Sequence, residues 1–253
     1  METAFNPKLS VITVVYNNAQ HIERTVKSVI SQSYKNIEYL VIDGASTDGT
    51  LEILQKYQKQ IHLLISEPDQ GIYDAMNKGL DLATGDYVLF MNSGDEIFAA
   101  DTIEKVFKSQ AFADIYYGET EMLNEQLQSE GRRRHQVPEN LNLNSFKYGM
   151  SVSHQAIYIK KSITQPYNLN YQLSADIDWI LAALSKAESI ANTHQYVAKY
   201  LMGGLSKKKH RQSLLERYQI FKKYYGFLPN LFNHFIIALR LGIYWIKNQK
   251  TND

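Results

Sequence analysis

Apolar residues in the first half of the chain come in short blocks, each followed by a stretch whose apolar positions recur at helical spacing. Residues 9–16, Leu-Ser-Val-Ile-Thr-Val-Val-Tyr, are rich in β-branched side chains, which predicts a short strand buried on both faces. Asn17 and Asn18 then turn the chain, and Ile22, Val26, Val29 and Ile30 fall on one helical face. Residues 37–42 predict a second strand, closed by Asp43-Gly44-Ala45-Ser46. Thr47-Asp48-Gly49-Thr50 offers N-capping side chains to a helix carrying Leu51 and Leu54. A third strand over 61–65, a helix over 72–83 and a fourth strand over 87–91 continue the alternation. This order implies right-handed βαβ units and a parallel sheet, an α/β fold.

Each predicted strand ends in polar residues: Tyr16-Asn17-Asn18, Asp43-Gly44, Glu67-Pro68-Asp69 and Asn92-Ser93-Gly94-Asp95. In an open α/β sheet the carboxyl ends of the strands line the crevice where ligands bind. Asp95 is the most telling of these residues. A carboxylate among small, flexible neighbours suits a hard divalent cation that shares its shell with phosphate oxygens. The same four residue types also make ordinary turns. No Gly-x-Gly-x-x-Gly follows the first strand and no Gly-Lys-Ser/Thr loop is present, which excludes a dinucleotide fingerprint and an ATPase phosphate loop.

Composition alters this picture in two places. Cysteine is absent, so disulfides and thiolate metal sites are impossible. The net charge of +1 hides an asymmetry, because from Lys207 onward Glu216 and Asp253 are the only acids among many lysines and arginines. A basic tail behind an acidic body predicts that the tail meets an anionic partner. Residues 1–7 lack the basic start and apolar core of a signal peptide, so a cytoplasmic protein is expected.

Three ordered segments carry a family resemblance: 9–17, then Ser28-Val29-Ile30-Ser31-Gln32-Ser33-Tyr34, then Val41-Ile42-Asp43-Gly44-Ala45-Ser46-Thr47-Asp48-Gly49-Thr50. Together they resemble family 2 glycosyltransferases of the GT-A fold. Gly71-Ile72-Tyr73-Asp74-Ala75-Met76-Asn77-Lys78-Gly79 and Asn92-Ser93-Gly94-Asp95 narrow the likeness to bacterial enzymes that build capsule, exopolysaccharide or lipopolysaccharide repeat units. The match spans roughly residues 8–206. It implies a GT-A catalytic unit over 1–206, with a nucleotide-sugar half (1–118) and an acceptor half (119–206), and a basic amphipathic helical tail over 207–253.

The resemblance further implies inverting transfer from a nucleotide diphosphate sugar with Mg or Mn as cofactor. Asp43 would hold the nucleoside, with Val14, Tyr16 and Asn17 around the base, and Asn92, Ser93 and Gly94 in the donor site. Asp95 matches the last carboxylate of the metal-binding Asp-x-Asp region. The chain departs from the pattern at Asn92, Gly94 and Gly44, where many relatives carry carboxylates. Asp69, Gly71 and Asp74 would approach base and ribose, with Asn77 and Lys78 nearer the phosphates. Read structurally, Asp74, Asn77 and Lys78 are one exposed helix face.

In the second half, 119–128 predicts a polar hairpin and Gly131-Arg132-Arg133-Arg134-His135 a basic loop, either a solvated face or a clamp for phosphate. His154 and Gln155 lead into an apolar strand. The resemblance sets them near the sugar pocket, and a satisfied core histidine is the alternative. Inverting transfer needs a carboxylate that takes the proton of the acceptor hydroxyl. Asp176 matches the family's general base, although Ala175 replaces the usual Glu, and Asp178 is the second candidate. The dipole of a helix start would favour Asp176 in either role. In resembling enzymes a loop at Gly203-Gly204-Leu205-Ser206 closes over the diphosphate, with Ser206 among its contacts.

From Gln212 the chain predicts one or two amphipathic helices, with peripheral membrane contact through 212–247 or packing on the domain or across a homodimer. The second apolar run is interrupted by His234 and Arg240, short of a spanning helix. The expected partners are a nucleotide diphosphate sugar and a saccharide or lipid-linked oligosaccharide acceptor at the inner face of the membrane, with no nucleic acid. Two other readings remain: a nucleotidyltransferase, which would want a Gly-rich basic loop after the first strand, and a degenerate nucleotide-binding scaffold, motivated by Asn92, Gly94 and Ala175.

Overall fold

The computed structural model describes residues 5–133, 135–203 and 209–249, with side chains described except at His210 and 240–249. The predicted alternation is present. β1 (Leu9–Val15), α1 (Ile22–Ile30), β2 (Ile37–Asp43), α2 (Thr50–Gln55), β3 (Leu63–Ser66), α3 (Ile72–Leu82) and β4 (Tyr87–Phe90) follow in order. β1 is buried at every residue, as its β-branched composition requires of a central strand. It pairs in parallel with β2 from Leu9↔Ile37 to Val15↔Asp43 and with β4 from Leu9↔Tyr87 to Ile12↔Phe90. β3 adds in parallel to β2, so four strand ends point the same way.

The remaining elements are β5 (Glu96–Ile97), α4 (Thr102–Ser109), β6 (Ile115–Leu123), β7 (Ser129–Arg132), β8 (Ile157–Lys160), α5 (Ala175–Leu184), β9 (Ile190–Leu201), α6 (His210–Tyr225) and α7 (Phe227–Gln249). The sheet has the order β3-β2-β1-β4-β8-β6-β9-β5, with β7 paired to β6. β8 runs antiparallel to both β4 and β6, so the second half joins the first through one continuous sheet. The polar hairpin predicted over 119–128 exists in altered form. Its first arm is the end of β6, a sheet strand paired with β9, and only the return arm β7 is exposed.

Two packing features fix the site. Helix α3 lies so close to β1 that a Cβ on Gly79 would collide with the Ile12 side chain. On its other flank, Asn77 donates to the Tyr167 carbonyl at 3.0 Å and accepts from the Tyr167 amide at 2.6 Å. Tyr167 then stacks between Tyr73 and Trp179, with ring centroids 5.4 Å and 5.1 Å away. The column ties α3 to α5, whose first turn carries Asp176.

Helices α6 and α7 form the C-terminal tail. α6 packs on α5: Lys223 meets Asp178 at 2.8 Å, Tyr224 donates to the Asp178 carbonyl at 3.1 Å, and Ile220 and Phe221 are buried. Gly226, at φ +80, breaks the tail into two helices. No helix among the described residues is long and apolar enough to cross a membrane.

Candidate active site

The ends of the parallel strands and the start of α5 enclose a cleft of about 950 Å³. Val14, Tyr16, Gly71, Asn92, Ser93, Asp95, His154, Gln155 and Asp176 all line it. Two carboxylates dominate its chemistry, and one turn touches both of them. The residues of this turn, His154 and Gln155, begin a short 3-10 segment that feeds β8. Gln155 donates from Nε2 to Asp95 Oδ2 at 2.6 Å, while His154 Nδ1 lies 3.3 Å from Asp176 Oδ2.

The ring of His154 bridges Asn92 and Asp176. Asn92 Nδ2 lies 3.0 Å from His154 Nε2. Nδ1 faces a carboxylate oxygen, which only accepts, so that nitrogen carries a proton and donates it to Asp176. Tyr73 donates to the other Asp176 oxygen at 3.4 Å, and the Ile177 amide donates to that same oxygen at 3.0 Å. Burial pushes the Asp176 carboxyl up, but the hydrogen bond and charge of His154, the charge of Arg217 and the Ile177 amide outweigh it. The net result is a carboxyl held below its ordinary range, and thus ionised near neutral pH.

Asp95 is 5% exposed and tuned in the opposite direction. Gly94, at φ +103, makes the turn that aims it inward, and the Leu201 amide donates to Oδ1 at 3.0 Å. Burial raises its carboxyl to about 6 against the pull of Gln155, Leu201, His154 and Arg24. A buried carboxylate of this kind gains from a cation. Each of its oxygens accepts one protein hydrogen bond and keeps lone-pair capacity. Asn92 Oδ1 and Gln155 Oε1 are also buried without a hydrogen-bond partner among the described residues. These oxygens fit Mg or Mn, which accept oxygen ligands and leave positions for phosphate. Among the described residues no three acidic, His or Cys side chains cluster as a complete metal cage.

Several residues expected at the site lie beside it in supporting positions. Asp43 is fully buried, accepting from the Ser46 hydroxyl at 2.5 Å, the Ser46 amide at 3.1 Å and the Ser66 hydroxyl at 2.6 Å. Asp69 lines the cleft instead, and a Cβ on Gly44 would collide with its carboxylate. Glycine at 44 therefore opens the space that Asp69 fills. Asp74 accepts from the Gln70 amide at 2.9 Å, and Lys78 reaches the Pro68 carbonyl and Glu67, each at 2.9 Å. Both pin the loop that carries Asp69 and Gly71, whose φ of +119 starts α3. Asn77 holds Tyr167, as described above.

Asn17, at φ +47, bridges to Ser46 and Thr47, and it is Asn18 that enters the cleft, donating to Ser93 Oγ at 2.9 Å. Asp178 points away from the cleft into its ion pair with Lys223, so of these two carboxylates only Asp176 lines the cleft. Residues i and i+2 of a helix do not share a face, which accounts for the separation. Ser206 lies outside the described residues. Tyr73, Tyr200, Arg133 and Arg217 also line the cleft, and of these sequence reasoning offered a ligand role only to Arg133, in a phosphate clamp. Arg133 stood in the basic run; Arg217 lay in the tail with no local signal.

Comparison with known proteins agrees with this geometry. The profile of the family described as Glycosyl transferase family 2 matches residues 10–164. A PGL/p-HBAD biosynthesis glycosyltransferase of Mycobacterium bovis is 31% identical over 211 residues, which is 79% of this chain and 79% of that protein. The putative teichuronic acid biosynthesis glycosyltransferase TuaG of Bacillus subtilis is 43% identical over 106 residues, 41% of this chain and 42% of TuaG. Among solved structures, S. aureus TarS 1-349 in complex with UDP superposes with a TM-score of 0.67 at 21% identity, covering 92% of this chain and 70% of that one. The fold is therefore GT-A.

Proposed function

The chain belongs to glycosyl transferase family 2, and from that premise we propose that it moves a sugar, with inversion, from a nucleotide diphosphate sugar to a hydroxyl of a saccharide acceptor in cell-surface polysaccharide synthesis. The observation that carries this reading is the His154-Gln155 turn, which holds two carboxylates tuned in opposite directions over one cleft. Asp176, kept ionised, accepts the proton of the acceptor hydroxyl. That oxygen attacks the anomeric carbon, the bond to the diphosphate oxygen breaks, and the nucleoside diphosphate leaves with the electron pair. His154 orients the carboxylate and steadies its charge. The exposed ring of Tyr16 offers a stacking face to the base. Asp95 with the amide oxygens of Asn92 and Gln155 would hold Mg or Mn, which when bound neutralises charge accumulating on the leaving diphosphate.

A panel of UDP-, GDP- and dTDP-sugars, with Mn or with EDTA, tests the reading by thermal shift. TarS, solved with UDP, makes UDP-sugars the first arm. Saturation at about 100 times Kd stabilises by ~2.7 kcal/mol, or a Tm rise of roughly 5–10 °C for a chain of this size. At least one donor should give that rise with Mn and a smaller one in EDTA. A panel without any shift in either condition would count against nucleotide-sugar binding.

The acceptor is proposed to be lipid-linked, with the protein at the cytoplasmic face of the membrane. Leu228, Leu231, Phe232 and Phe235 stand exposed along α7, just beyond Lys222 and Lys223. An apolar stripe with cations beside it suits anionic lipid. Co-sedimentation with vesicles containing anionic phospholipid should be strong, and should weaken in Leu231→Glu/Phe235→Glu. Failure to pellet, with a dimer in light scattering, would assign the stripe to a second copy.

A further inference from the structure

Two arginines from different parts of the chain line the cleft with Asp176 and act on its charge or feel it, Arg133 on the segment leaving β7 and Arg217 on α6. Each is partly buried in the cleft wall. Arg133 Nη1 and Arg217 Nε are buried N–H groups without a hydrogen-bond partner among the described residues. Among the described residues neither arginine forms an ion pair within 4 Å, whereas the adjacent Arg132 lies 3.7 Å from Glu119. Asp176 is within ion-pair distance of neither among the described residues, and its hydrogen-bond donors are Tyr73, His154 and the Ile177 amide.

Burying a guanidinium with an orphaned donor is costly unless an anion completes it. Burial indeed holds the Arg133 guanidinium below its ordinary range. The position of the pair says which substrate brings that anion. The cations that act on Asp95, where the donor diphosphate would lie, are His154 and Arg24. Those that act on Asp176, where the acceptor would lie, are His154 and Arg217. Planar guanidinium forks match phosphate oxygens, and two of them converging suit a phosphate better than a single carboxylate.

We propose that Arg133 and Arg217 form an acceptor subsite for a phosphate group, so that the acceptor hydroxyl delivered to Asp176 belongs to a phosphate-bearing molecule. This rests on the glycosyltransferase reading of the cleft and narrows its acceptor to phosphorylated ones. The phosphate has two sources with the same chemistry: the diphosphate of a lipid carrier and the phosphodiester of a polyol phosphate polymer.

The test is calorimetric titration of the full chain, presaturated with Mn and whichever nucleoside diphosphate the donor panel selects. The titrants are inorganic pyrophosphate, geranyl diphosphate in detergent and glycerophosphoglycerol. Presaturation fills the donor diphosphate position, so any further anion binding reports a second site. At least one titrant should bind, and Arg133→Gln and Arg217→Gln should each weaken it about tenfold or more. Affinity for the nucleoside diphosphate should stay within about twofold, which also shows that the variants are folded. Tighter binding of geranyl diphosphate than of pyrophosphate supports the lipid source, and tighter binding of the phosphodiester supports the polymer. The proposal is overturned if no titrant binds the nucleotide-saturated protein. It is overturned equally if the variants weaken the nucleoside diphosphate as much as the titrant, because the arginines would then serve the donor. Failure of the chain to bind any nucleotide would instead remove the glycosyltransferase reading beneath it.

Discussion

Asp95 and Asp176 show how one turn can prepare two carboxylates for different tasks. The amide of Gln155 cannot neutralise Asp95, so burial wins and its carboxyl rises from about 3.8 to about 6. In metal-free protein the sign of the pH effect follows. Below about pH 4 both folded and unfolded forms are protonated, and Asp95 costs nothing. Between about 4 and 6 the unfolded chain ionises first, so stability falls as pH rises, and above 6 the full cost of about 3 kcal/mol is present. The stability of Asp95→Asn relative to wild type, measured by urea unfolding in EDTA, should therefore improve steadily from pH 4 to pH 6 and then level off. An offset independent of pH is expected as well, since an asparagine cannot accept from both Gln155 and Leu201. A difference that does not vary with pH would show that Asp95 is not the strained carboxylate described above.

At the level of elements, the site depends on α3 and α5 being held at fixed distance. Asn77 does this by closing both polar groups of the Tyr167 backbone, which carries the ring between Tyr73 and Trp179. Asn77→Ala leaves a partly buried amide and carbonyl without partners, a cost of about 2 kcal/mol and a Tm drop of roughly 4–8 °C. Thermal unfolding checks this, and a drop under 1 °C would mean that the clamp is not needed. This contact explains why part of the site was hard to read from sequence. The pattern of strands 9–16, 37–42 and 87–91 announced the sheet, because burial on both faces leaves a continuous apolar run. Asp74, Asn77 and Lys78 share a helix face with polar spacing, and spacing cannot tell a face that meets ligand from one that clamps the loop carrying the ligand's contacts. Arg217 was still less visible, since its approach to Asp176 depends on α6 folding back over α5, a contact between residues far apart in sequence.

Across the whole molecule, a parallel four-strand half and a mixed second half share one sheet, and their junction at β4 and β8 is where Asn92 and His154 meet. Asp95 comes from the first half, Asp176 from the second, and α6 covers the latter. Motif order made the fold and the two carboxylates legible, because short segments with fixed neighbours carry them. Gly44 and Asp69 were each noted, but that the glycine opens the space Asp69 fills was not legible, because the two meet across a loop. The central claim is that Asp176 takes the acceptor proton while the donor is held by other groups. Its most direct test is nucleoside diphosphate release with the selected donor and Mn, comparing wild type with Asp176→Asn, alongside donor affinity by calorimetry. A general base contributes about 10²–10⁴ in rate, so kcat should fall by that factor while donor Kd stays within about threefold. Release at the wild-type rate, or a loss explained wholly by weaker donor binding, would contradict it.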